Sequence, residues 1–251
     1  MKKYTSINDI DHMLSWIEEA KEIKASPLKH NNLGKHKTLG LLFFNASLRT
    51  RLSTQKAALN LGMDPIVMNV SGDAWGIEFG DGTIMNGNTA EHIKEAAAVI
   101  SQYCDIIAVR AFPSLKDKEQ DEAEQVLQSF IQFASVPVIS MESATEHPLQ
   151  GFTDAITISE NSTKKRPKVV LSWAPHIKAL PHAVANSFVQ AMHKMDVEFI
   201  ITNPEGYNLN TEITKETPVS YNQVDAFKDA DFIYTQNWSS YEDYGKILKT
   251  D

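Results

Sequence analysis

The densest chemistry in the chain lies in Phe43-Phe44-Asn45-Ala46-Ser47-Leu48-Arg49-Thr50-Arg51. An apolar run of strand type ends there. A helical pattern through Leu52, Ala57, Ala58 and Leu61 begins near Ser47. The first N–H groups of a helix have no intrahelical acceptor and sit at the positive end of its dipole, so they attract anions. Hydroxyls on Ser47 and Thr50 can donate to phosphate oxygens, and Arg49 can make a bidentate contact. The same residues also read as a serine N-cap followed by two solvated arginines. The stretch has no glycine-rich nucleotide loop, which makes ATP and NAD poor candidates.

A second cluster is His147-Pro148-Leu149-Gln150, in which Pro148 stiffens the turn. His147 could donate to a carbonyl oxygen and Gln150 accept from an amide; the alternative is an exposed loop histidine. Arg110 ends the apolar run Asp105-Ile106-Ile107-Ala108-Val109, with a surface ion pair as its other reading. Trp75 lies in Ser71–Thr83 among Gly72, Gly76, Gly80 and Gly82. That loop suits a mobile lid or an intersubunit contact, or a Trp packed beneath its own loop. Cys104 reads as a small core residue rather than a nucleophile. His12, His30, His36, His92, His182 and His193 have no metal-ligand spacing, and His92 and His193 fall on the surface of helices.

These groups need a frame. Strands are expected at Thr38–Asn45, Pro65–Val70, Asp105–Arg110 and Val136–Met141, then at Lys168–Trp173, Val197–Thr202 and Asp231–Thr235. Runs such as Leu39-Gly40-Leu41-Leu42-Phe43-Phe44 are nearly continuous in apolar residues, as strands buried on both faces are. Asn88 through Glu91 resembles a capping box for a helix running to about Tyr103. Pro181 suits the first turn of a helix ending near Met195. Strands alternating with helices imply an α/β fold with parallel sheets. The polar, basic Asn161–Pro167 segment is the best candidate for a junction, giving two lobes at about 1–150 and 151–251. Ligands in such sheets bind beyond the carboxyl ends of the strands. Those ends are followed here by Ser47–Arg51, Trp75, Arg110, Glu142–Gln150, Trp173–His176, Asn203 and Gln236-Asn237. The set is rich in cations, amides and hydroxyls, and it suits a small anionic substrate bearing a carbonyl.

The whole-chain numbers agree with that picture. The 251 residues are 42% hydrophobic and 22% charged, typical of a globular protein rather than a disordered one. No apolar run approaches the roughly 20 residues of a membrane span, and the start lacks the apolar core of a secretory signal. The single cysteine excludes an intrachain disulfide and a multi-cysteine zinc site, and a reducing, cytoplasmic setting is expected. A net charge of -8 argues against a general nucleic-acid binder without forbidding a local cationic pocket.

In this order and spacing, Ser47-Leu48-Arg49-Thr50-Arg51, Arg110 and His147-Pro148-Leu149-Gln150 resemble the aspartate and ornithine carbamoyltransferase family. The resemblance covers essentially the whole chain. The Trp75 loop, Met141-Glu142-Ser143-Ala144-Thr145 and Ser172-Trp173-Ala174-Pro175-His176 are similar to the N-succinyl- and N-acetylornithine branch. The resemblance implies two doubly wound parallel-sheet lobes, one for carbamoyl phosphate and one for the acylornithine, with the active site in the cleft between them. It implies transfer of the carbamoyl group from carbamoyl phosphate to the δ-amine of an N-acylornithine in arginine biosynthesis, with no metal or redox cofactor. Ser47, Leu48, Arg49 and Thr50 would hold the phosphate. Arg110 and His147 would polarise the carbonyl, and Gln150 would orient the carbamoyl amide. Glu142, His176 and Gln236 would face the acylornithine. Trp75 would enter a neighbouring subunit's site, which implies a homotrimer.

Three departures stand out. The family's His-Cys-Leu-Pro segment and last helix do not occur before Asp251, so the second lobe is expected to be incomplete at its C-terminal end. Position 90 is Ala, where the succinyl type carries Pro and the acetyl type Glu. Position 236 is Gln, where the succinyl type carries Lys. Ala90 matches neither pattern but should repel a succinyl carboxylate less than Glu would, whereas Gln236 can hydrogen-bond without pairing a charge, which weighs against succinyl. An aspartate or ornithine carbamoyltransferase, or an inactive assembly subunit that keeps the anion pocket, are the other readings.

Overall fold

The structure is a computed structural model that describes residues 2–70 and 76–247. In chain order the elements are β1 (Lys3–Tyr4), α1 (Met13–Ala25), β2 (Thr38–Phe43), α2 (Leu48–Leu61), β3 (Asp64–Asn69), β4 (Ile77–Glu78) and β5 (Glu91–His92). Next come α3 (Ile93–Tyr103), β6 (Ile106–Arg110), α4 (Lys118–Glu122), α5 (Gln125–Phe133), β7 (Val138–Glu142) and α6 (Pro148–Asn161). The remainder is β8 (Lys168–Trp173), α7 (Ala183–His193), β9 (Glu198–Thr202), α8 (Thr211–Thr214), β10 (Val219–Ser220), α9 (Gln223–Phe227) and β11 (Phe232–Gln236). The fold is α/β with parallel sheets, as the alternation implied.

The described residues fall into two units. One comprises those within Met1–Thr5, Glu19–Phe112 and Ala123–Ser143; the other comprises those within Ser6–Glu18, Pro113–Glu122 and Ala144–Asp251. The basic Asn161–Pro167 segment links α6 to β8 inside the second unit. The reason is packing: α6 lies against α7, so the His147–Gln150 turn belongs with the second unit's helices. Gly151 permits that approach, because a Cβ there would stand 2.6 Å from the Ser187 carbonyl oxygen.

In the first unit the parallel sheet has the order β1-β7-β6-β2-β3. β2 lies between β6 and β3, and all but its first residue are buried, which is why its sequence is a continuous apolar run. Leu42, Ile93, Ala97, Ile100, Ile107, Val109, Leu127 and Phe130 form one contiguous core on one side of it. Cys104 is buried at its edge, and a Cβ on Gly40 would come within 2.7 Å of its sulfur. α2 closes at Gly62, whose φ of 79° is the left-handed cap conformation that favours glycine. In the second unit the parallel sheet has the order β10-β9-β8-β11. The central β8 is buried from Val169 to Trp173, and α7 is buried along most of its length.

Two local expectations are corrected. Asn88 through Glu91 does not cap α3. Glu91 pairs with Ile77 in a short parallel ladder, and His92 is the cap, its Nδ1 accepting from Lys94 N at 3.2 Å. Pro181 does not enter α7, which starts at Ala183 after His182. The His182 ring is instead committed to the Ser239 carbonyl at 2.7 Å.

Candidate functional site

In a parallel sheet all carboxyl ends lie along one edge, so β2, β6 and β7 deliver their following residues to the same side. Ser47 caps α2, and its Oγ accepts from Thr50 N at 3.3 Å. The Leu48 and Arg49 N–H groups are thereby left without intrahelical acceptors at the positive end of the helix. Arg49 is exposed and Thr50 half-buried. The Leu48 side chain is 74% exposed, so what Leu48 offers an anion is its backbone. Arg51 is committed elsewhere: it donates to Asn69 Oδ1 and lies 4.7 Å above the Phe43 ring.

Arg110 is joined directly to this turn. Its Nη1 donates to the carbonyls of Asn45 at 3.2 Å and Ala46 at 3.1 Å, the two residues before Ser47. Its Nη2 donates to Glu142 Oε2 at 3.0 Å, and its guanidinium stacks 4.1 Å from the Phe112 ring. The residue is 6% exposed, and Nε has no hydrogen-bond partner among the described residues. A β-bulge sets this geometry. Val109 pairs with Ser140 but Arg110 pairs with Glu142, so Met141 is the extra residue that brings the carboxylate opposite the guanidinium. Burial pushes Glu142 up to about 7, opposed by the charges of Arg110 and Arg49. The surface ion pair considered for Arg110 is therefore a buried one.

His147 and Gln150 belong to the second unit. His147 is the half-buried cap of α6, with Pro148 at the first helical position. Three residues of α7 hold this turn: Ser187 Oγ accepts from His147 N at 2.8 Å, Asn186 Nδ2 donates to the Thr145 carbonyl at 3.0 Å, and Gln190 Nε2 donates to Glu146 Oε1 at 3.1 Å. Gln150 Nε2 donates to Asp154 Oδ1 at 2.8 Å. Sequence reasoning missed Asn186, Ser187, Gln190 and Asp154. The available signal was polar side chains on the apolar stripe of a helix, which must find partners once buried.

His176 follows β8 and is exposed; its Nδ1 lies 3.1 Å from the Lys178 N–H. It lines a crevice of about 10 Å³ with Lys178, Asn237 and Lys246. Gln236 ends β11, half-buried, in register with Trp173. Ala90 is exposed. Trp75 lies outside the described residues. Among the described residues no group of three metal-ligating side chains occurs, and no helix is long and apolar enough to cross a membrane.

Comparison with known proteins gives this geometry a family. Residues 2–160 match the model of the aspartate/ornithine carbamoyltransferase carbamoyl-P binding domain. The chain is 51% identical to the N-succinylornithine carbamoyltransferase of Bacteroides fragilis (strain 638R), over 100% of this chain and 80% of that one. It is 38% identical to the N-acetylornithine carbamoyltransferase of Xanthomonas axonopodis pv. citri (strain 306), over 88% of this chain and 70% of that one. Among solved structures, an N-acetyl-L-ornithine transcarbamylase variant complexed with PALAO superposes with a TM-score of 0.91 at 34% identity, covering 98% of this chain and 78% of that chain. Another variant of that enzyme, with a glutamate replaced by alanine, is complexed with carbamyl phosphate and N-succinyl-L-norvaline; it gives a TM-score of 0.87 at 34% identity, with the same coverage. The chain is a carbamoyltransferase and belongs to the N-acylornithine branch of the aspartate/ornithine carbamoyltransferase family.

Proposed function

We propose that this carbamoyltransferase moves the carbamoyl group of carbamoyl phosphate to the δ-amine of an N-acylornithine, N-succinylornithine ahead of N-acetylornithine, in arginine biosynthesis. The observation that carries the reading is the Arg110 guanidinium, fixed to the carbonyls just before Ser47 and keeping Nε–H unpartnered among the described residues. A cation held rigidly beside an anion-binding helix start can polarise a carbonyl whose phosphate is seated on that helix. In this reading Ser47, Thr50, Arg49 and the Leu48 N–H receive the phosphate. Arg110 and His147 stabilise the carbonyl oxygen as charge develops on it, and Gln150 accepts from the carbamoyl NH2. Glu142, His176 and Gln236 face the acylornithine. The neutral amine attacks the carbamoyl carbon, phosphate leaves, and the departing phosphate can accept the amine proton. Orienting the two substrates removes much of the entropy of encounter. The reaction itself calls for no metal or redox group.

The succinyl preference rests on two supports. The 51% identical relative carries the N-succinylornithine name. Ala90 is small and uncharged, and the glutamate-to-alanine variant of the acetyl enzyme holds N-succinyl-L-norvaline. The reading includes a cytoplasmic homotrimer in which Trp75 enters a neighbouring site. Initial rates with carbamoyl phosphate against N-succinylornithine, N-acetylornithine, ornithine and aspartate test it. Highest kcat/KM on N-succinylornithine is expected. A preference for free ornithine or aspartate overturns the substrate, and an oligomer inert toward all four overturns the activity in favour of an assembly role.

A further inference from the structure

We propose that Asp154 is a positioning residue that orients the Gln150 side-chain amide, leaving Gln150 Oε1 to accept from the NH2 group of the carbamoyl substrate. The inference rests on the role assigned to Gln150 above and deepens it. A glutamine amide has two ends of nearly equal shape and opposite hydrogen-bonding sense, so a Gln in a substrate site must be told which way to point. Asp154 stands one helical turn beyond Gln150, on the same face of α6. Gln150 Nε2 donates to its Oδ1 at 2.8 Å. An ionised carboxylate only accepts, so it can bind the NH2 end of the amide and not the oxygen end. Gln150 Oε1 has no partner among the described residues, which leaves it as the free acceptor.

Asp154 is itself held in place. It is 8% exposed. Its carboxylate faces the hydroxyl of Tyr234 on β11, and the Tyr234 ring stacks on Phe188 of α7 with centroids 4.2 Å apart. Its Oδ2 makes no hydrogen bond of ordinary geometry among the described residues. Burial raises Asp154 to about 6, while Gln150 and Tyr234 pull against the rise. Tyr234 is pushed well above the ordinary phenol range by burial and by the facing carboxylate. Above its midpoint Asp154 is therefore an acceptor beside a neutral phenol. Below it, the protonated acid gains a donor that would also suit the other end of the amide.

The consequence is chemical selectivity. Acetyl phosphate differs from carbamoyl phosphate by a methyl in place of NH2, so an acceptor fixed at that point favours the carbamoyl compound. The experiment compares wild type, D154N and D154A. The carboxamide introduced by D154N still offers an oxygen to Gln150 and turns its NH2 toward Tyr234. Expected is a preference for carbamoyl over acetyl phosphate, read as KM against Ki, that survives within about threefold in D154N and falls about tenfold or more in D154A, with the KM for the N-acylornithine unchanged. An undiminished preference in D154A, or equal loss in both variants, overturns the proposal. Wild type inert toward every N-acylornithine defeats the functional reading instead, and a second measurement then decides Asp154. The Gln150 side-chain amide, assigned in 1H–15N spectra with a Q150A control, should show a downfield Nε2 proton in wild type and D154N. That proton should move with a midpoint near pH 6 in wild type only. A signal indifferent to D154A overturns the proposal.

Discussion

Arg49 and Arg110 are both arginines at the first unit's candidate site, yet the chain treats them in opposite ways. Arg49 is exposed, and its side chain makes no hydrogen bond or ion pair among the described residues. Arg49→Ala is therefore expected to abolish stabilisation by carbamoyl phosphate in thermal-shift titrations while moving the unliganded melting temperature by no more than an ordinary surface change, within about 0.5 kcal/mol. Arg110 is buried with Glu142, each side chain less than a tenth exposed. Removing one member of such a pair strands the other charge, at a cost of roughly 3–5 kcal/mol. Glu142→Ala is expected to lower the unfolding free energy from urea titration by an amount in that range, whereas Glu142→Gln, which keeps an acceptor for Nη2, should lose much less. Equal losses from the two would show that the carboxylate charge, which both remove, decides rather than the acceptor for Nη2. From the sequence, Arg110 was legible as an arginine at a strand end; its partner was not, because an ion pair between residues 110 and 142 exists only once β6 and β7 are adjacent.

At the scale of elements, α7 decides where the His147–Gln150 turn sits. Asn186, Ser187 and Gln190 project from one stripe of that helix, and each bonds a different residue of the 145–147 stretch. Ser187→Ala leaves the His147 N–H without its acceptor. A loss of about 1 kcal/mol in stability is expected, together with a fall in kcat that exceeds any change in KM for carbamoyl phosphate. Gly151→Ala is expected to do more, because its methyl would meet the Ser187 backbone oxygen and the two helices would have to separate. A wild-type melting curve for Gly151→Ala would contradict the close approach. The seven longer strands among the described residues were readable in advance because apolar runs of the right length mark them; the two-residue β1, β4, β5 and β10, fixed by pairing with other strands, were not. The helix starts were readable less often: Ser47 caps α2 as expected, but His92 and His182 owe their places to Gly80 and Ser239, distant carbonyls that no local pattern announces.

For the molecule as a whole, the buried ionisable groups predict how stability depends on pH. Burial lowers His182 to about 4 from an ordinary 6.5. Its Nε2–H donates to the Ser239 carbonyl, and the ring stacks on Tyr241 at 4.2 Å. A base with a lowered folded pKa contributes stability that is complete above the unfolded value and is lost as pH falls through the folded one. The window is therefore from about 6.5 down to about 4, and its size is about 3 kcal/mol. Asp154 has the opposite sign: its raised folded value contributes stability at low pH that is lost between 3.8 and about 6. Comparing wild type with His182→Gln across that range isolates the histidine. The difference in unfolding free energy is expected to shrink toward acid, and a difference independent of pH would refute the burial argument. With a net charge of -8, the proposed phosphate site would have to draw its anion by a local field, from the α2 start, Arg49 and Arg110, against the global one.

What the amino-acid order settled alone was everything encoded by nearest neighbours. Continuous apolar runs marked the longer strands, their alternation with helical segments the parallel α/β class, and short polar motifs the family resemblance. Those signals are local, so they survive without a folded context. Three things required the chain to close on itself. The bulge at Met141 sets a carboxylate opposite Arg110, the α7 stripe seats the His147 turn, and β11 brings the Tyr234 hydroxyl to the Asp154 carboxylate. Each is a polar contact in which burial first removes water and then demands a substitute partner. Which partner is at hand depends on which elements pack together, and that is a property of the fold.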